Sequence, residues 1–346
     1  MFARRLTQCL CLLLLIFAVS GCSGSDSSGV AATVNGEEIP EEQVTSYIDG
    51  FIQRQGYTTD QWAQYLAAND TTAAEFREDV VDYYVEYLLY EQKAAELGLS
   101  VSDEDVANDI ADMKEQMGLD DDSWNSYLSG QGYTEESYES TVAYSLLVSK
   151  VQAQELTAPE PTDDQIHDYA DQNLLNYDGK LVYGIKFSED DYDKAEDLLD
   201  EIKEADDPVK AFKDNVGASE DETLVKAKGE LGWSCLVSYG DDWTEMVGDL
   251  EKGKVYDYLY QDNQSNCYYI IYCANEYAPA YYGDIDKALK HMPKALKKNF
   301  DAAVTESVYN DAVDSYVQSM KDAADIKIND IPADADYNVE PQSTSE

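Results

Sequence analysis

The side chains in this 346-residue chain that can do chemistry are mostly carboxylates and aromatic rings: 71 Asp and Glu, 28 Tyr and 4 Trp, against 24 Lys and Arg and two His. His167 and His291 fall in helical, charge-rich stretches and read as solvated surface residues. Beyond the N-terminal segment only Cys235, Cys267 and Cys273 remain. Cys267 and Cys273 sit on one candidate strand, about 20 Å apart and too far to bridge each other. A bridge from Cys235 to either stays open, and no zinc spacing is visible. Asp120-Asp121-Asp122 lacks the glycine and the distal glutamate of a calcium loop and reads as a helix start. No metal or cofactor is therefore expected. The formal net charge of −47 argues against nucleic acid as a partner, because phosphate contacts need a basic surface. It reads instead as solubility and self-repulsion outside the cell. The tyrosines outnumber what a core needs, so some are expected to face a groove. A rigid, apolar ring with a hydroxyl suits loose contact with peptide.

The elements that would place these residues begin with a targeting signal over residues 1–21. Arg4 and Arg5 precede an apolar run from Leu10 to Val19 that is too short to span a bilayer comfortably. Val19-Ser20-Gly21-Cys22 resembles a bacterial lipobox, which is cut before the cysteine. Lipidation of Cys22 would anchor the protein to the outer face of the cell membrane, and residues 22–30 form a Ser/Gly tether.

Residues 39–95 and 101–157 align without a gap at an offset of 62, with Trp62, Tyr65 and Leu66 matching Trp124, Tyr127 and Leu128. The pattern predicts two copies of a helix, short helix, long helix unit. Thr72-x-x-Glu75, Ser102-x-x-Asp105 and Thr162-x-x-Gln165 mark helix starts. Ahead of the first copy, Ala31 to Ile39 reads as a strand with an Asn35-Gly36 turn. Past a Pro159/Pro161 linker, a helix over 163–175 leads to strands at Leu181 to Phe187, Gly229 to Trp233, Val255 to Tyr260 and Cys267 to Cys273. Helices at Asp191 to Glu204 and around Phe212 intervene. After Asn275 the chain turns helical again, with Phe300, Val304 and Val308 on one stripe. Residues 331–346 read as a disordered polar tail.

Ala-Thr-Val-Asn-Gly-Glu-Glu-Ile followed by an amphipathic helix resembles the opening of the chaperone module in PrsA-type foldase lipoproteins and SurA-type periplasmic chaperones. Gly229-Glu-Leu-Gly-Trp233, then Trp243 and the helical Met246 to Leu250, resembles the second half of a parvulin-type peptidyl-prolyl isomerase. The resemblance implies an α+β architecture: a mostly helical chaperone module (31–160, completed by a returning C-terminal helix within 279–330) with an inserted four-stranded antiparallel domain (161–278). It implies that Tyr239 and Trp243 take the places that grip a proline ring, with Tyr269 the third substrate-binding candidate. It also sets Gly184 and Tyr269 where the family carries histidines. Asp221 and Glu222 are the nearest counterparts of the family's Cys or Asp, and Tyr269 and Asp221 are the catalytic candidates. The expected function is that of a lipid-anchored extracytoplasmic folding factor that binds unfolded exported polypeptides. The enzymatic alternative is an active X-Pro isomerase.

Overall fold

The structure, a computed structural model, describes residues 29–236 and 241–342. The signal segment, Cys22 and Tyr239 lie outside the described residues. The described residues divide into two compact units, the first from residues up to 158 and from 312 onward, the second from residues 159–311. As expected, the architecture is α+β, mostly helical, with one four-stranded antiparallel sheet.

The first unit opens with a hairpin of β1 (Val30–Val34) and β2 (Glu37–Pro40). Its turn places Asn35 at φ 54° and Gly36 at φ 87°, the paired left-handed residues that a two-residue hairpin loop requires. Helices α1 (Glu41–Arg54), α2 (Thr59–Ala68) and α3 (Ala73–Leu97) follow. Helices α4 (Asp103–Met117), α5 (Asp121–Gly130) and α6 (Glu135–Glu155) each begin 62 residues later than their counterparts. Thr72, Ser102 and Thr134 each close a capping box at a helix start. The ring geometry repeats as well. Trp62 stacks on Tyr65 at 5.5 Å and meets Phe76 edge-on at 5.1 Å; Trp124 stacks on Tyr127 at 5.5 Å and meets Tyr138 edge-on at 5.2 Å.

In the second unit, α7 (Asp163–Asn173) leads to β3 (Gly179–Ser188), α8 (Tyr192–Glu204), α9 (Pro208–Asp214) and α10 (Glu222–Lys226). Then come β4 (Glu230–Cys235), α11 (Asp241–Asp249), β5 (Tyr260–Asp262) and β6 (Cys267–Tyr277). The sheet order is β4-β3-β6-β5, antiparallel throughout. Strand alternation sends Ile185, Phe187, Ile270 and Tyr272 to a core with Ala195, Leu199, Ile202 and Phe212. Val182, Ile271 and Cys273 point the other way, against Met246, Val247 and Leu250. The strand expected over Val255 to Tyr260 is shorter. Val255 makes one bridge to Tyr272, the chain leaves the sheet at Asp257 and Tyr258, and pairing resumes at Tyr260. Cys235, Cys267 and Cys273 are all unbridged.

Helix α12 (Ile285–His291) and the long α13 (Lys294–Ala323) follow, and residues of α13 belong to both units. Leu296, Phe300, Val304 and Val308 of α13 pack with Ala170, Leu174 and Tyr277 in the second unit. Past α13, β7 (Ile326–Ile328) pairs with β1 and covers an edge that would otherwise expose unpaired backbone groups. For residues 331–342 the expectation of a disordered tail is corrected: Tyr337 is 1% exposed, and Gln342 N donates to Ala63 O at 3.0 Å. One buried aromatic anchor outweighs the polar composition that suggested disorder.

Candidate functional site

The site is set by a bulge in the second unit's sheet. β4 pairs with β3 through Val182–Gly232 and Tyr183–Glu230, so Leu231 is an extra residue with no partner across the ladder. Gly232 sits at φ 101°, a conformation that explains the second glycine of the Gly-Glu-Leu-Gly-Trp run. The bulge swings Leu231 over Gly184. A Cβ added at Gly184 would lie 2.8 Å from Leu231 Cδ1 and 3.2 Å from Tyr269 Cδ1. The position the parvulin resemblance assigns to a histidine is thus already occupied, by an aliphatic side chain and the edge of a ring.

Beside Leu231 the same sheet face carries a run of half-buried aromatics. Tyr269 lies 6.5 Å from Tyr260 between ring centroids, and Tyr260 meets Trp243 edge-on at 4.9 Å. Trp243 is carried by α11 and packs with Met246, Val247 and Leu250, whereas Tyr269 and Tyr260 stand on neighbouring strands. The structure therefore brings Trp243 and Tyr269 together, with Tyr260 as the link. Sequence reasoning missed Tyr260 and Leu231. The alternation of Tyr269, Ile271 and Cys273 pointed to this face, but the cross-strand neighbour of Tyr269 depends on a register that short-range pattern does not fix.

The polar surroundings give this face limited chemistry. Burial, and then the nearby Cys267 thiol that shares a hydrogen bond with it, push the Tyr269 hydroxyl well above the usual phenol range. Tyr269 therefore stays protonated at physiological pH and can donate. Lys186 Nζ lies 5.8 Å from the centre of the Tyr269 ring, a cation over an aromatic face. Asp221 is half-buried and spends its carboxylate on structure: Oδ1 accepts from Thr223 N at 2.8 Å and Leu224 N at 3.0 Å, capping α10. These backbone bonds, with Leu224's the largest cause, hold its pKa below the ordinary value. Its neighbour Glu222 pairs with Lys226 at 3.4 Å on the surface. Neither carboxylate is placed here to exchange a proton with a buried reacting group.

Helix α11 is held by a side chain the sequence did not flag. Lys180, 6% exposed, reaches from β3 to the C-terminal end of α11 and donates to Gly248 O at 2.7 Å and Leu250 O at 2.5 Å. Its charge meets the negative end of the helix and satisfies carbonyls that have no partner within it.

The rings of the first unit divide by exposure. Tyr47, Tyr84, Tyr87 and Tyr90 are buried. In the second helical copy the burial thins: Trp124, Leu128 and Val142 are buried, while Ile110, Met113, Tyr127, Tyr133 and Tyr138 are half-buried and Met117 is 44% exposed. In the second unit Tyr258 and Tyr281 are 69% and 83% exposed. The aromatic content is not sealed within the interior. Among the described residues no helix is long and apolar enough to cross a membrane, and no cluster of metal-ligating side chains occurs.

Comparison with known proteins finds relatives among folding factors. Residues 3–152 match the family described as the SurA-like N-terminal domain. This N-terminal stretch is thus similar to SurA N-terminal domains, and the chain as a whole is similar to PrsA foldases. Foldase protein PrsA of Clostridium kluyveri is 27% identical over 270 residues, covering 71% of this chain and 77% of that protein. Chaperone SurA of Pectobacterium atrosepticum is 23% identical over 237 residues, covering 65% of this chain and 53% of that protein. Among solved structures, foldase protein PrsA from Streptococcus pneumoniae aligns over 89% of this chain and 98% of its own, at 21% identity and a TM-score of 0.37.

Proposed function

We propose that this protein is an extracytoplasmic folding factor, tethered through lipidated Cys22, that holds unfolded exported polypeptides on half-exposed aromatic surfaces. The reading rests on one observation above the others. Leu231, Tyr269 and Tyr260 of the sheet and Trp243 of α11 form an apolar face, with Tyr258 exposed on the same unit. Such a face can stack on proline and other apolar side chains without demanding a sequence. The half-buried Met113, Tyr133 and Tyr138 of the second helical copy supply a second surface of the same chemistry. The similarity to PrsA and SurA proteins and the lipobox-like Cys22 support the extracytoplasmic assignment.

The second unit reads as a parvulin-like domain with reduced catalytic power. Rotation about an X-Pro bond faces a barrier of about 20 kcal/mol, and catalysis needs an environment that favours the twisted amide over either planar form. Trp243 and Tyr260 supply an apolar wall and Tyr269 one hydroxyl donor, but Gly184 supplies no side chain. One donor favours a residual isomerase reading over none. The deciding experiment uses the mature chain from Cys22 onward, without its lipid. It should suppress aggregation of a denatured client, and Trp243→Ala should weaken that suppression. A protease-coupled assay on a proline tetrapeptide should give a rate within a few-fold of the uncatalysed one. No suppression at several-fold excess removes the folding-factor reading, and a fast rate abolished by Trp243→Ala replaces it with the enzyme.

A further inference from the structure

The segment after β7 lies on the first unit as a bound peptide would. From Asn329 to Gln342, the last described residue, it has no helix or strand. Its backbone is read at both ends of the anchor: Trp62 Nε1 donates to Tyr337 O at 2.8 Å, and Gln342 N donates to Ala63 O at 3.0 Å. One side chain is recognised deeply. Tyr337 is buried, its hydroxyl donating to Glu41 Oε1 at 3.1 Å. Glu41 is itself fixed by Arg77, whose Nε reaches Oε1 at 3.0 Å while a second guanidinium nitrogen reaches Oε2 at 2.5 Å. Ile331, Ala335 and Val339 lie half-buried against the same apolar core. Main-chain hydrogen bonds plus one aromatic anchor form a recognition pattern that almost any chain with a suitably placed tyrosine can satisfy.

The resident segment is an imperfect occupant. It is acidic, with Asp330, Asp334, Asp336 and Glu340, on a protein of net charge −47. Asp336 lies near enough to Asp49 of α1 to add to the burial that already raises the Asp49 pKa. Asp49 also lines a recess with Ser46, Gly50, Ile52, Gln53 and Tyr57 of the first unit.

We propose that the groove holding Tyr337 is a client-binding site, filled in cis by residues 330–342. It accepts from an unfolded polypeptide an irregular segment anchored by tyrosine and preceded by an uncharged or basic residue. This rests on the folding-factor reading. A tethered occupant is present at high effective concentration, so a client must displace it, and the like charges at Asp49 and Asp336 make displacement feasible. The groove therefore selects against acidic segments and for clients that lack the carboxylates of its own tail.

The test uses the full mature chain, a Tyr337→Ala chain and an Asp336→Lys chain, with a fluorescein-labelled peptide of residues 330–342 as probe. Tyr337→Ala should bind the peptide at least ten-fold more tightly than the unaltered chain. A peptide carrying Asp336→Lys should bind more tightly still, and a denatured client should compete it off. In the Asp336→Lys chain the tail should hold harder and client capture should fall several-fold. A Tyr337→Ala chain that melts as a folded protein and suppresses aggregation, yet takes up no peptide, overturns the groove and leaves the folding factor standing. If Tyr337→Ala does not fold, unchanged client capture by Asp336→Lys overturns it instead. Peptide uptake by a protein that never suppresses aggregation keeps the peptide site and removes the folding-factor reading.

Discussion

Replacing Lys180 by Met should loosen α11, and with it Trp243, while leaving the rest of the sheet in place. The methionine keeps most of the apolar stem but removes the ammonium and both of its bonds, to Gly248 O at 2.7 Å and Leu250 O at 2.5 Å. Hydrogen bonds to a charged group contribute about 1.5–3 kcal/mol each. Two of them, with Lys180 only 6% exposed, set the loss at about 3 kcal/mol, taking the lower bound for each. The carbonyls left behind at the α11 C-terminus add to this unless water reaches them. Because the chain has two units, a single global unfolding free energy is the wrong readout. Amide hydrogen exchange read along α11 is the right one, since about 3 kcal/mol of local opening corresponds to on the order of 100-fold faster exchange. Trp243 should become more accessible to a fluorescence quencher, and client binding at this face should weaken in step. Exchange along α11 that changes less than about five-fold, which is roughly 1 kcal/mol, would refute the clamp. So would loosening spread evenly over β3 and β6.

Arg77→Met strands the buried Glu41 carboxylate and should cost the first unit about 3–5 kcal/mol, read by amide hydrogen exchange along α1 and α3, with Arg77→Met/Glu41→Gln recovering part of the loss. Gly184→Ala should cost about 1 kcal/mol, the low end for overpacking, because the Leu231 end it meets at 2.8 Å is partly exposed and can yield; adding Leu231→Ala should restore the melting temperature. The Asp105 carboxyl, held down to about 2 by its bond to Lys150 and then by Ser102, binds protons in the unfolded chain before it does in the folded one. Its contribution to stability is therefore present above about pH 4, near the unfolded pKa, and is lost as pH falls towards 2. An NMR titration of Asp105 with a midpoint near 4 would contradict this, and Asp105→Asn should flatten that part of the stability profile.

Short-range signals carried much of the fold. The 62-residue repeat, the capping boxes at Thr72, Ser102 and Thr162, and the Asn35-Gly36 turn are local backbone chemistry, and each stands where spacing and residue type require. The Gly229 run was read as a strand, and the structure adds the bulge at Leu231, with Gly232 at positive φ. The site itself was legible only in part. Trp243 and Tyr269 could be named from the sequence, but the ring that joins them, Tyr260, could not, because it reaches Tyr269 only through the β5–β6 register. The fate of the C-terminal segment lay furthest from view. Its composition is that of a solvated tail, yet Trp62 donates to the carbonyl of Tyr337 across 275 positions of sequence. Propensity, caps and periodicity act over a few residues and are written in the chain. Burial of Tyr337, occupation of the space above Gly184 and anchoring of α11 by Lys180 depend on partners that only the folded chain brings within reach.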